Sequence, residues 1–167
     1  PIGIENIFQN IAIHDIDSID HRLWFGTRAG VFIYSTIQSQ LMQMSDVGRK
    51  NFPEQLRNVV SLEQHGSSIY VVSDIGIIEF DIEEKEWNLI FTSGIYSNKD
   101  VYSMALNDKF IFLGVEDGLI KINKKTGLVR DYVFSFIGRV NEIILDGKEI
   151  WLGTSNGLIK FLWKRHL

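Results

Sequence analysis

Four stretches of this chain are copies of one another, and a chain that repeats itself at this spacing has few folds open to it. They read Leu23-Trp24-Phe25-Gly26-Thr27-Arg28-Ala29-Gly30-Val31 and Ile69-Tyr70-Val71-Val72-Ser73-Asp74-Ile75-Gly76-Ile77. The third and fourth are Ile111-Phe112-Leu113-Gly114-Val115-Glu116-Asp117-Gly118-Leu119 and Ile150-Trp151-Leu152-Gly153-Thr154-Ser155-Asn156-Gly157-Leu158. Their aromatic positions, Trp24, Tyr70, Phe112 and Trp151, stand 46, 42 and 39 residues apart. That period belongs to β-propeller blades of four strands each. A second marker fixes the register. Eleven residues before each aromatic stands Ile13, Val59, Val101 or Val140, and three residues after each of these comes Ile16, Leu62, Met104 or Ile143. Two fixed offsets kept four times over leave little room for coincidence.

The expected fold is therefore all-β, a β-propeller of four repeats over residues 1–167, with four antiparallel strands per blade. The blades are placed at about 11–44, 57–92, 99–134 and 138–167. In each, inner strand A follows the apolar marker, strand B carries the aromatic, and strand C is a β-rich run. The C strands are Val31 to Ser35, Ile77 to Ile82, Leu119 to Asn123 and Leu158 to Trp163. Outer strands D are expected near Gln40 to Met44, Trp87 to Thr92 and Arg130 to Phe134. Gly26, Gly114 and Gly153 recur in strand B, where a missing side chain lets a neighbouring sheet come close; Val72 breaks that rule in the second unit.

The fourth unit reaches strand C with no outer strand after it, while Ile4 to Asn10 precede the first strand A and belong to no complete unit. The economical expectation is that residues 4–10 close the last blade as its outer strand and remove an open edge. Three arrangements satisfy this equally: a four-bladed monomer, a C2 homodimer forming an eight-bladed ring, and four blades of a longer array.

Composition excludes several functions. The net charge of -4 supplies no basic stripe for nucleic acid. With no cysteine in the chain, disulfides and thiolate metal sites are ruled out. No apolar run approaches the roughly 20 residues of a membrane span, so membrane insertion of this segment is not expected. The chain opens Pro1-Ile2-Gly3 with no basic and apolar leader, and no signal peptide is expected within it.

The string Leu-Trp-Phe-Gly-Thr-x-x-Gly-Val at 23–31, and still more Ile150 to Leu158, resembles the two-component regulator propeller repeat, which ends in Leu-Trp-Ile-Gly-Thr-x-x-Gly-Leu. Val140-Asn141-Glu142-Ile143-Ile144-Leu145-Asp146 is similar to the Val-x-x-Ile-x-x-Asp strand that precedes that signature, whereas Ile19 stands where the first unit should carry Asp. The resemblance covers nearly the whole chain, well in the first and fourth units, partly in the third and weakly in the second. It implies a sensing or docking propeller outside the membrane, periplasmic or extracellular, of the kind found in bacterial signalling receptors. Such proteins usually carry many more repeats, a transmembrane helix and a downstream domain. The signature residues bring no catalytic role with them.

Gly153-Thr154-Ser155-Asn156-Gly157 matches a nucleophile elbow by letter, but an elbow needs a strand–turn–helix context and a strand follows here. His14, Asp15 and Asp17 form the densest group of possible metal ligands, yet alternation along a strand sends His14 to one face and both acids to the other. No catalytic group, metal or cofactor is expected. In a propeller the B–C and D–A loops gather at one channel mouth, so a ligand is expected there, where Arg28, Asp74, Glu116, Asp117, Ser155 and Asn156 stand at the B–C tips. Arg49, Asn58, Asp100, Arg139 and Asn141 stand at the D–A approaches. The long connection from Ser45 to Arg57, with Phe52-Pro53, is the loop most expected to be special. The expected function is non-catalytic binding of a peptide, glycan or partner protein; the alternative is an assembly element that completes a larger ring by dimerisation or with further blades, and a propeller enzyme ranks third because no set of nucleophile, base and orienting group is visible.

Overall fold

A computed structural model describes residues 10–48, 50–96 and 99–163. Short turns set its frame. Thr27 pairs with Gly30, Ser73 with Gly76, Val115 with Gly118 and Thr154 with Gly157, each across a two-residue B–C turn. The hydroxyl of the repeat motif closes three of these turns from inside. Thr27 Oγ1, Ser73 Oγ and Thr154 Oγ1 donate to the carbonyls of Gly30, Gly76 and Gly157 at 2.8, 3.2 and 2.9 Å. The glycine is obligatory where the outer strand crosses it. Gly76 has φ +141°, and a Cβ there would stand 2.0 Å from the carbonyl oxygen of Phe91.

From these hairpins the chain builds four meandering antiparallel sheets, one per repeat. The first is β1 (Ile13–Ile19), β2 (Arg22–Thr27), β3 (Gly30–Ser35) and β4 (Gln40–Gln43); the second is β5 (Ser61–His65), β6 (Ser68–Ser73), β7 (Gly76–Asp81) and β8 (Glu86–Thr92). The third is β9 (Ser103–Leu106), β10 (Phe110–Val115), β11 (Gly118–Asn123) and β12 (Val129–Val133). The fourth holds β13 (Val140–Asp146), β14 (Glu149–Thr154) and β15 (Gly157–Phe161). The fold is thus all-β, four blades of a β-propeller. A four-residue helix, Met44–Val47, and a 3₁₀ turn, Ser93–Tyr96, interrupt the strands; no helix among the described residues is long and apolar enough to cross a membrane. The fourth C strand ends at Phe161, short of the expected Trp163. Among the described residues β15 pairs with β14 alone. The strand expected to close its open edge falls, apart from Asn10, outside the described residues.

The chain divides into two compact units, Pro1–Thr92 and Ser93–Leu167, of two blades each. In the first, Trp24 from blade one meets Phe80 from blade two at 5.8 Å, and Phe80 stacks on Trp87 at 4.2 Å. All three rings are buried in a cluster with Ile33, Val59 and Ile69. In the second, Phe112 from blade three packs edge-on against Trp163 at 5.4 Å, over Val140, Ile150 and Leu152. The recurring aromatic of strand B is therefore the piece each leading blade inserts toward the next.

Blades are also joined at their inner strands. Asp15 Oδ2 accepts hydrogen bonds from Ser61 Oγ (3.0 Å) and Leu62 N (2.8 Å), and Asp15 Oδ1 accepts from Ile16 N. His14 Nδ1 lies 2.8 Å from the carbonyl oxygen of Val59. His14 and Asp15 thus form a joint between blades one and two, while Asp17 accepts from the amide of Ser18 in its own strand. In unit two Ser103 Oγ donates to Val140 O at 2.9 Å. The strand-B glycines permit these approaches: a Cβ on Gly26 would lie 2.9 Å from Val59 Cγ1.

The long connection after β4 does structural work. Gly48 O accepts from Trp87 Nε1 at 2.8 Å, Lys50 adds an isolated parallel bridge to Glu86, and Phe52 stands edge-on to Trp87 at 6.4 Å. This segment lies along the outer strand of blade two, where an uncovered edge would invite pairing with another chain.

Tyr70 gives the fold a pH dependence. It is buried, its hydroxyl donates to Glu79 Oε1 at 2.9 Å, and burial first and Glu79 second push its pKa upward. The fold favours the neutral phenol, so the stabilisation is complete below the unfolded value of about 10 and lost as pH rises above it. Chemical denaturation between about pH 9 and 11 should show a falling midpoint, and Tyr70→Phe should flatten that fall. A variant falling as steeply as wild type would assign the loss to other groups.

Candidate binding face at the B–C and D–A loops

The inner strands of blades one and four begin with an irregularity. The register slips between Ile13 and Asp15 in β1 and between Val140 and Glu142 in β13, leaving His14 and Asn141 out of step. Such bulges re-aim a side chain at the end of a sheet. Tyr102 holds the same place in blade three, one residue after the marker Val101, and its amide bonds to Gly114 O at 2.8 Å.

In unit two the connection from β12 to β13 runs between the B–C tips of blades three and four, and both tips hold it. Asp117 Oδ1 accepts from Gly138 N at 2.7 Å, while Asp117 N donates to Gly138 O and Asp117 O accepts from Phe134 N. On the other side Ser155 Oγ accepts from Arg139 N at 3.0 Å, Ser155 N donates to Arg139 O, and Asn156 Nδ2 donates to Phe136 O at 2.9 Å. Asp117, Ser155 and Asn156 therefore hold backbone. The Ser155 oxygen thus carries the Arg139 amide.

The clamped loop presents two side chains. Arg139 is exposed, its guanidinium stacked over the Tyr102 ring with Cζ 4.5 Å from the centroid. Glu116 sits opposite Arg139 in an isolated antiparallel bridge, which sends both side chains to one side. Among the described residues neither makes a side-chain hydrogen bond or ion pair, so the stacked cation keeps its planar donor fork available. Phe136 is 89% exposed and has φ 72°. A bulky residue in the left-handed region costs on the order of 1–3 kcal/mol and persists where the surroundings over-determine it. Here the surroundings are the Asn156 bond to its carbonyl and the pinned Gly138.

In unit one the tips act similarly. Asp74 and Arg57 exchange two bonds at 3.3 Å, Asp74 N to Arg57 O and Arg57 N to Asp74 Oδ1. Arg28 O accepts from Asn58 N at 3.0 Å, and the side chains of Arg28 and Asn58 stay exposed. Asp100 and Asn141 of unit two are exposed as well. Arg49 lies outside the described residues. Of the sequence-derived candidates, Asp74, Asp117, Ser155 and Asn156 hold loops, whereas Arg28, Asn58, Asp100, Glu116 and Arg139 point outward. Sequence reasoning missed Tyr102 and Phe136. The marker offset could have found Tyr102, since it places this residue one after Val101, in the position of His14 and Asn141; Phe136 carries no comparable signal.

No family model matches the chain, and no curated protein matches it. Solved structures do. The extracellular domain of BT3049 from B. thetaiotaomicron, described as a hybrid two component system, aligns with a TM-score of 0.68 at 20% identity over 89% of this chain and 22% of that one. The extracellular domain of BT4673 from the same organism, described as a one component system, aligns with a TM-score of 0.61 at 22% identity over 87% of this chain and 20% of the other. The computationally designed Ika4 protein aligns with a TM-score of 0.66 at 14% identity over 92% of both chains. This chain therefore spans about a fifth of the length of the two extracellular domains it resembles. Identities this low establish a shared fold.

Proposed function

We propose that this chain is a non-catalytic binding or sensing propeller that recognises a peptide, glycan or partner protein through its B–C and D–A loops. The observation that carries the reading is the loop of unit two, where a strained, exposed Phe136 stands three residues from a stacked Arg139. Aromatic and arginine side chains held rigid at low entropic cost are what dominate binding interfaces. Phe136 supplies apolar area and Arg139 planar donors for carbonyl or carboxylate groups. An extracytoplasmic role in signal reception fits the resemblance to extracellular domains of one- and two-component systems. It also fits the loop-tip chemistry, in which polar residues orient a rigid loop and surround no reacting atom.

The test is binding of the labelled chain to glycan and peptide arrays, followed by titration of the recognised compound. Phe136→Ala and Arg139→Ala should each weaken binding at least about tenfold. Their denaturation midpoints should stay close to wild type, because neither side chain is buried. Recognition unaffected by both substitutions would move the site off this loop.

A further inference from the structure

A second concave surface lies at the opposite ends of the same strands, between the A–B turns of blades three and four. It is a groove of about 650 Å³ walled by Leu106, Phe110, Leu145 and Trp163, with Lys109 and Gly147 at its rim. That volume is within the roughly 300–1,000 Å³ of small-molecule sites. A Cβ on Gly147 would meet nothing within 4 Å, so the groove is open on that side.

Its two aromatic walls already serve a cation. Lys121, 6% exposed, holds Nζ 4.8 Å from the Phe110 centroid, 5.6 Å from that of Trp163 and 5.7 Å from that of Tyr132. Among the described residues it makes no salt bridge or hydrogen bond, so the ring quadrupoles are what stabilise it in place of water. Phe110 and Trp163 meet edge to face at 5.6 Å and 79°, which makes a rigid corner. A ring that holds an ammonium on its face attracts a second cation poorly, and the buried charge behind it repels one outright. The same charge favours an anion in front. At the rim Lys109 and Asp108 are both exposed; the Lys109 amide bonds to Asn107 Oδ1 and its side chain is unpaired among the described residues, whereas Asp108 already has a partner, which leaves the two lysines to set the sign of the groove.

We infer that this groove binds a small aromatic carboxylate, its ring against the Phe110–Trp163 corner and its carboxylate toward Lys109. Indole-3-acetate and tryptamine share a ring and differ in the sign of their charge, so they are the probes. Titrated into the full chain and followed by amide NMR shifts, indole-3-acetate should saturably move Asn107, Lys109 and Gly147. Tryptamine should bind at least about tenfold more weakly. Lys109→Glu, a surface change, should cut indole-3-acetate affinity about tenfold or more. Lys121→Met should leave the aromatic corner without its cation and raise tryptamine to parity. Equal binding of the two probes by wild type, no saturable shift, or indifference to Lys109→Glu would each overturn the proposal. If Lys121→Met does not fold, the Lys109→Glu result decides alone.

Discussion

Gly114→Ala is expected to destabilise the protein by about 3 kcal/mol or more, whereas Gly153→Ala at the equivalent repeat position should cost less than about 1 kcal/mol. Both residues sit in strand B within the same Leu-Gly pair. A Cβ on Gly114 would stand 2.2 Å from Ser103 Oγ, 2.7 Å from Val140 O and 2.9 Å from Val140 Cγ1. The carbonyl belongs to the next blade and accepts the Ser103 hydrogen bond, so blade four cannot yield without breaking the joint. At Gly153 the nearest atom is Glu142 Cβ at 3.4 Å, which is close to ordinary contact. For a chain of this size 3 kcal/mol lowers Tm by about 6–12 °C. Thermal unfolding of the two variants side by side checks the claim. Equal losses would mean that the glycine answers to strand geometry and not to the neighbouring blade.

Phe80→Ala should cost about 3–5 kcal/mol, the range for deleting a fully buried ring. Phe80 is 1% exposed and lies between Trp24 of blade one and Trp87 of its own outer strand. The tryptophans cannot close the void, because Trp87 is tied through Nε1 to Gly48 O. Gly48 itself packs on Phe80, since a Cβ there would lie 2.7 Å from Phe80 Cε2. Removing the ring therefore loosens the long connection as well as the blade interface. Urea titration monitored by tryptophan fluorescence should show the midpoint fall, while a loss under about 1 kcal/mol would mean that the aromatic stack is not the centre of unit one.

The repeat made most of the fold legible, for a physical reason. Strand registers, hairpin turns and glycine positions depend on residues close in sequence, and repetition averages away the noise of any one copy. Thr27, Ser73 and Thr154 show this: each closes its own turn three residues later. The placing of the B–C turns next to the loops that enter strand A was readable by the same logic. What the residues there do was not. Asp117 spends its carboxylate on Gly138, 21 residues away, and nothing local distinguishes it from Glu116, which is left outward. The connection from Ser45 to Arg57 attracted attention for its length, and its Gly48, Lys50 and Phe52 turn out to lie against blade two. Phe136 was invisible because its φ of 72° is imposed by partners on another blade.

The loop of unit two holds Phe136 in a strained conformation with its ring exposed, and Phe136→Gly separates the strain from the ring. Glycine takes the left-handed conformation freely, so the substitution relieves strain while deleting the exposed ring. Measured together, Tm should be unchanged or higher, and affinity for the array-identified compound should fall at least about tenfold. A variant that loses stability yet keeps full affinity would mean that Phe136 is neither strained nor part of the binding face.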